Sequence, residues 1–160
     1  MKKALLFSAA LQKDAQAHLK DNSYGLGLAY LHAVIEKAGY KIITKNFNNS
    51  ELAASEAEMA ADLERFRPDF LLVQIFTMNR AASYRLIKLA RKLLPRVKII
   101  IGGVHASIFY KQLFENYEID CVVIGEGEET IVELLGALSA GRSAAGVRGA
   151  AYKENGAVVK

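Results

Sequence analysis

The chain has 160 residues, 52% hydrophobic and 24% charged, which supplies enough apolar material for one domain with its own core. Its net charge of +4 is too mild to argue for a nucleic-acid partner, and a single cysteine, Cys121, excludes a disulfide framework or a Cys-rich metal or iron–sulfur site built from this chain alone. No apolar run reaches the ~18 residues that a membrane span needs, and cysteine poverty fits a cytoplasmic protein.

Lys3 to Ser8 reads as the first strand. Met1-Lys-Lys followed by Ala4-Leu-Leu-Phe resembles the start of a signal peptide, but no small-residue cleavage site is clear and polar residues follow. The polar stretch Gln12 to Tyr24 leaves the carboxyl end of that strand. Loops longer than ~12–15 residues in compact domains are usually functional or mobile, so this one is assigned to a binding edge.

Helix one opens at Gly25-Leu-Gly-Leu-Ala-Tyr30. Leu28, Leu31, Val34, Ile35 and Ala38 share a face, and Gly39 is the C-cap. His32, at the edge of that face, reads as packing or surface. Lys41 to Lys45 is strand two, and an Ala- and Glu-rich helix from Ser50 to Arg67 ends at Pro68. Phe70 to Ile75 is strand three, with Phe76-Thr-Met-Asn79 as the turn out of it.

Helix three runs from Arg80 to Leu94 and stops at Pro95. Arg80, Tyr84, Lys88, Arg91 and Lys92 fall on one side, opposite Leu86, Leu89, Ala90, Leu93 and Leu94. The basic side is expected to be a solvated face.

Lys98 to Ile101 is strand four, followed by Gly102-Gly-Val-His-Ala-Ser107 and a short helix from about Ile108 to Asn116. Asp120 to Ile124 is strand five, followed by Gly125-Glu-Gly-Glu128 and a helix from about Glu129 to Ala140. Cys121 within strand five is expected to be a small core residue. Gly149 to Lys153 and Ala157 to Val159, joined around Asn155-Gly156, read as a hairpin.

Strands and helices alternate five times, and strands three, four and five are apolar runs without polar alternation. That pattern predicts a doubly wound α/β fold with a five-stranded parallel sheet, flavodoxin-like in its order 2-1-3-4-5, and a C-terminal β-hairpin. Ligands in such sheets sit at the carboxyl ends of the strands. The segments expected there follow strands one, three, four and five.

Nucleotide and catalytic readings fail on inspection. Gly25-Leu-Gly-Leu-Ala-Tyr30 lacks the third glycine of a dinucleotide fingerprint and lies far beyond strand one. No Walker motif is present. Ser8-Ala9 and Gln74-Ile75 stand where a phosphoacceptor receiver needs carboxylates, and Ala9-Ala10-Leu11 offers no hydroxyl-rich phosphate loop. No Ser–His–acid arrangement is visible, so no catalytic set and no metal site are assigned. His105 follows two glycines at the edge; ligand contact, a structural hydrogen bond and a catalytic role all stay open for it. Glu126 and Glu128 repel phosphate and suit hydroxyl, amide or ring N–H donors. The edge is therefore expected to hold a large, mostly neutral ligand.

Five segments then carry a resemblance. Gly25-Leu-Gly-Leu-Ala-Tyr-Leu-His-Ala-Val-Ile-Glu-Lys-Ala-Gly39, Pro68-Asp69 with its following strand, Ile100-Ile-Gly-Gly-Val-His-Ala106, Asp120-Cys-Val-Val-Ile-Gly-Glu-Gly-Glu-Glu-Thr130 and Val147-Arg-Gly-Ala-Ala-Tyr-Lys-Glu-Asn-Gly156 occur in fixed order. They resemble the N-terminal cobalamin (B12)-binding domain of B12-dependent radical S-adenosylmethionine (SAM) enzymes. The resemblance implies a Rossmann-like domain over residues 1–145 and a hairpin at 146–160 that leads to a radical SAM domain absent from this chain.

It also implies that Gly102, Gly103, Val104 and His105, with Gly125, Glu126 and Gly127, lie along the nucleotide tail of cobalamin. Thr77, Met78 and Asn79 would approach the corrin. The 4Fe-4S cluster and S-adenosylmethionine would belong to the absent domain, whose C-x-x-x-C-x-x-C motif cannot exist here. The D-x-H-x-x-G motif that ligates cobalt is absent after strand one, so a lower face without protein histidine is expected, and His18 is not assigned as a ligand. Val104 replaces the usual proline, and Gln74 and Phe76 stand where small or hydroxyl residues are common. A cofactor-free substrate-recognition module with the same fold is the alternative.

Overall fold

The computed structural model describes residues 1–11, 25–48 and 50–160. The polar stretch Gln12 to Tyr24 lies outside the described residues. The elements are β1 (Lys3–Ser8), α1 (Leu26–Lys37), β2 (Lys41–Asn46), α2 (Leu52–Phe66) and β3 (Phe70–Gln74), then a single 3-10 turn at Thr77–Asn79. They continue with α3 (Arg80–Leu93), β4 (Lys98–Gly102), α4 (Val104–Asn116), β5 (Cys121–Val123), α5 (Glu128–Ser139), β6 (Ala150–Glu154) and β7 (Ala157–Val159).

The strands form one seven-stranded sheet in the order β2-β1-β3-β4-β5-β6-β7. The first five are parallel in the order expected from sequence. The hairpin does not stand apart: β6 pairs antiparallel with β5 and extends the sheet. Its turn uses Asn155 and Gly156 at φ of 50° and 83°, the left-handed pair that a two-residue hairpin loop demands.

Side chains alternate across this sheet with the strand period of two. Leu5, Leu71 and Ile99 are register neighbours and face a core under α2, α3 and α4. Leu6, Leu72, Ile100 and Cys121 form the adjoining row and face a core under α1 and α5. Each such buried aliphatic side chain contributes about 1.5–3 kcal/mol. His32 packs at the edge of α1, its Nδ1 2.7 Å from Thr44 Oγ1.

Two expectations need correction. On α3, Ala82, Ser83, Leu86, Ile87 and Ala90 are buried, and Leu89, Leu93 and Leu94 are half-buried and pack against the same core, as expected for the apolar side. Tyr84 is not part of a solvated face; it is half-buried and stacked on Tyr117 at 4.5 Å. The other concerns α4, which begins at Val104, immediately after Gly103, and not near Ile108; it is kinked at Phe109. The Gly-Gly step starts the helix at once, and this places the residues around His105 on a helix with two distinct sides.

Candidate functional site

At the carboxyl ends of the parallel strands, on the α1–α5 face, lies a cleft of about 370 Å³. Its floor is formed by Leu6, Leu72 and Ile100 of one side-chain row, with Val123, two residues beyond Cys121 on the same face. Gly27 and Leu31 of α1 form one wall, and Glu128 and Ile131 of α5 with its N-cap Gly127 the other. Val104, Ser107 and Ile108 come in from the first turns of α4, at the helical spacing of one face.

Glycine makes the space. Gly102 ends β4 beside Gln74, and a Cβ there would stand in ordinary contact with Val123, 3.8 Å from its Cβ. Gly103 has a different reason. Its φ is 97°, and a Cβ would lie 2.7 Å from the Ile75 carbonyl oxygen. That backbone is held on both sides: the Ile75 N–H donates to Gly102 O at 2.8 Å, and the His105 N–H donates to Ile75 O at 3.2 Å. The Gly125 N–H donates to Ser107 Oγ at 3.1 Å, which joins the loop after β5 to α4.

Of the residues singled out from sequence, Gly102, Gly103, Val104, Gly125, Glu126 and Gly127 come together at this cleft. Thr77, Met78, Asn79 and His105 are not among its walls. Asn79 is fully buried. Its Nδ2 donates to Ser8 Oγ at 3.1 Å, and its Oδ1 accepts the Phe76 N–H at 2.8 Å, so it fixes the turn after β3 to the end of β1.

His105 is 6% exposed and points to the opposite side of α4. Its Nδ1 lies 3.3 Å from Thr77 Oγ1 and its Nε2 2.7 Å from the Tyr84 hydroxyl. A neutral imidazole has one donor and one acceptor nitrogen, and the two hydroxyls match either tautomer. Desolvation by burial, and then the charge of Arg80, hold its pKa below the usual histidine value. Of the readings left open for His105, the structural hydrogen bond is the one this geometry supplies.

The cleft also takes in residues that were not among the candidate site residues. Gly27, Leu31, Ser107, Ile108 and Ile131 line it, as do Gln74 and Phe76. The period of two from Leu72 signals Gln74. Spacing from Val104 signals Ser107 and Ile108 once the start of α4 is known.

The B12 binding domain family matches residues 13–135. An uncharacterized methyltransferase of Pyrococcus horikoshii is 34% identical over 135 residues, covering 83% of this chain and 28% of that protein. The cytidylyl-2-hydroxyethylphosphonate methyltransferase of Streptomyces wedmorensis is 28% identical over 148 residues, covering 82% of this chain and again 28% of the relative. The chain thus spans well under a third of the length of these two relatives.

Among solved structures, the radical S-adenosylmethionine methyltransferase TsrM of Kitasatospora setae, with cobalamin and a 4Fe-4S cluster bound, superposes with a TM-score of 0.81. The match is 19% identical and covers 100% of this chain and 31% of TsrM. The cobalamin-dependent S-adenosylmethionine radical enzyme OxsB, with aqua-cobalamin and S-adenosylmethionine bound, gives 0.82 at 17% identity, covering 99% of this chain and 22% of OxsB. Sheet order, the glycine-walled cleft and the extent of the family match agree: this chain belongs to the B12-binding domain family.

Proposed function

We propose that this chain binds cobalamin as one module of a larger radical SAM enzyme, with the nucleotide tail of the cofactor in the cleft between α1 and α5. The observation that carries the reading is the cleft itself. It is apolar, its glycines admit a ring close to backbone, and the carboxylates of Glu126 and Glu128 stand at its edge. Those properties suit a mostly neutral ring system and disfavour a compact phosphate. Small-molecule pockets run from ~300 to ~1,000 Å³, so this cleft suits part of a large cofactor. Exposed Met78, Val104 and Ile108 stand at the same edge of the sheet, where a broad ring would cover them.

When bound, cobalamin supplies carbon–cobalt chemistry, and the protein supplies position and shielding. Gly102, Gly103 and Val104 would hold the tail from one side, and Gly125, Glu126 and Gly127 from the other. Thr77 and Met78 would lie toward the corrin, on a turn that Asn79 and His105 keep in place. The 4Fe-4S cluster and S-adenosylmethionine would be held by a partner radical SAM domain reached through residues 146–160. The lengths of the methyltransferase relatives and the ligands of TsrM support that context.

The test is direct. The chain is mixed with hydroxocobalamin, passed through gel filtration and examined by visible absorbance. Retained absorbance at one equivalent or less is expected. A colourless protein peak would reject the reading in favour of a cofactor-free recognition module.

A further inference from the structure

Resting on the placement of the nucleotide tail in the cleft, we infer that Gln74 selects which base the tail carries. Gln74 ends β3, two residues after Leu72 on the same face. Its register neighbours are Ser8 on β1 and Gly102 on β4. Gly102 has no side chain, so the flank of Gln74 is open to the cleft. Toward α1, its amide nitrogen lies 3.4 Å from the position a Cβ on Gly27 would take. Glycine in α1 leaves room for the amide to lie there.

The main-chain carbonyl of Gln74 accepts a hydrogen bond from Asn79 Nδ2 at 3.4 Å, but among the described residues no group hydrogen-bonds its side-chain amide. The neighbouring walls are apolar: Leu6, Leu31, Leu72, Ile100 and Val123. Ser107 Oγ already accepts the Gly125 N–H. Gln74 is therefore the one amide among the described side chains that line the cleft, and aliphatic side chains surround it.

An amide presents N–H donors and a carbonyl acceptor side by side. A ligand that covers it without matching leaves those groups unpaired in apolar surroundings, and this is how sites built on hydrogen bonds discriminate. The benzo edge of dimethylbenzimidazole carries two methyl groups. Adenine carries an amino donor next to a ring-nitrogen acceptor, the pair that a glutamine amide meets with two hydrogen bonds. The slot suits a cobalamin analogue whose lower base is adenine better than one whose base is dimethylbenzimidazole.

The dicyano forms of both compounds are the probes, because cyanide holds either base off the cobalt and leaves only its contacts with protein to differ. Equilibrium dialysis against the 160-residue chain should give about ten-fold tighter binding of the adenine form. Gln74→Leu should bring the two affinities within about two-fold, chiefly by weakening the adenine form. Gln74→Met serves the same purpose if the leucine variant does not fold. Equal affinities in the unsubstituted chain, or a preference that survives both substitutions, overturn the selection by Gln74 alone. Retention of neither compound overturns the assignment of the cleft as well.

Discussion

His105 Nε2 and the Tyr84 hydroxyl stand 2.7 Å apart, and this contact fastens the first turn of α4 to α3. The Phe109 ring lies 4.7 Å from the imidazole, and Tyr84 stacks on Tyr117. Tyr84→Phe keeps the stack but leaves one imidazole nitrogen unpaired. Urea unfolding at neutral pH should show a loss of about 1–2 kcal/mol. A loss below about 0.3 kcal/mol would mean that the pair adds nothing to stability.

The same imidazole makes stability depend on pH. Burial, and after it Arg80, keep the folded pKa of His105 below the ordinary value of 6.5. As pH falls past that value, the unfolded chain takes up the proton first, so stability declines. The contribution is fully present above the unfolded pKa and is lost as pH falls toward the folded one. His105→Asn removes it. The stability gap between the two proteins should therefore narrow from about pH 7.5 to about pH 5.5, a window above the ordinary carboxyl range. A constant gap across that window would contradict the assignment.

Adjacent glycines should respond differently to alanine. At Gly103 the added Cβ meets the Ile75 carbonyl oxygen at 2.7 Å and the φ of 97° strains any side chain, so a loss of about 3 kcal/mol or more is expected. At Gly102 the nearest atom is 3.8 Å away, and Gly102→Ala should unfold within about 1 kcal/mol of the parent. Its effect should appear in hydroxocobalamin retention, because the methyl group enters the cleft. Thermal melts and the gel-filtration assay separate the two outcomes.

Cys121 is 2% exposed, and burial, followed by the charge of Asp120, pushes its thiol up to about 12. The thiolate is the reactive form. Iodoacetamide at neutral pH should leave the folded chain unmodified and alkylate it in urea, as read by mass. Rapid labelling without denaturant would show that β5 opens readily.

Asp120 closes the amino end of β4. Its Oδ2 accepts the Ile99 N–H at 2.9 Å and an Arg91 N–H at 3.1 Å, and its Oδ1 accepts from Lys98 Nζ at 2.8 Å. Asp120→Ala leaves the backbone donor without its partner and should destabilise by about 1–3 kcal/mol. Asp120→Asn should recover part of that loss, since it keeps an acceptor for Ile99. Both values are read from urea midpoints.

The sheet was legible because its central strands β3, β4 and β5 are uninterrupted apolar runs, with glycines at or just beyond the ends of β4 and β5. Parallel order followed from the alternation of runs with helical patterns. The hairpin was visible in Asn155-Gly156, but its pairing with β5 was not, since a long-range edge contact leaves no local signal. At the cleft, the glycines were legible because close backbone approach needs them. The direction of His105 was hidden by the start of α4: a loop residue has no fixed side, whereas the second residue of a helix does. That same shift concealed Ser107 and Ile108. Tyr84 was misplaced because a phenol on a basic helical stripe looks solvated until its stacking partner, Tyr117, arrives from another element.

The two walls of the cleft come from segments far apart in sequence, α1 at Leu26–Lys37 and α5 at Glu128–Ser139. A nascent polypeptide therefore cannot present the finished slot until the α5 segment has emerged and condensed onto the sheet. Anything that settles there clamps early-made and late-made segments together. Occupancy should then slow their separation and raise the melting point with the logarithm of ligand concentration above the Kd, as expected for a molecule that recognises only the completed form.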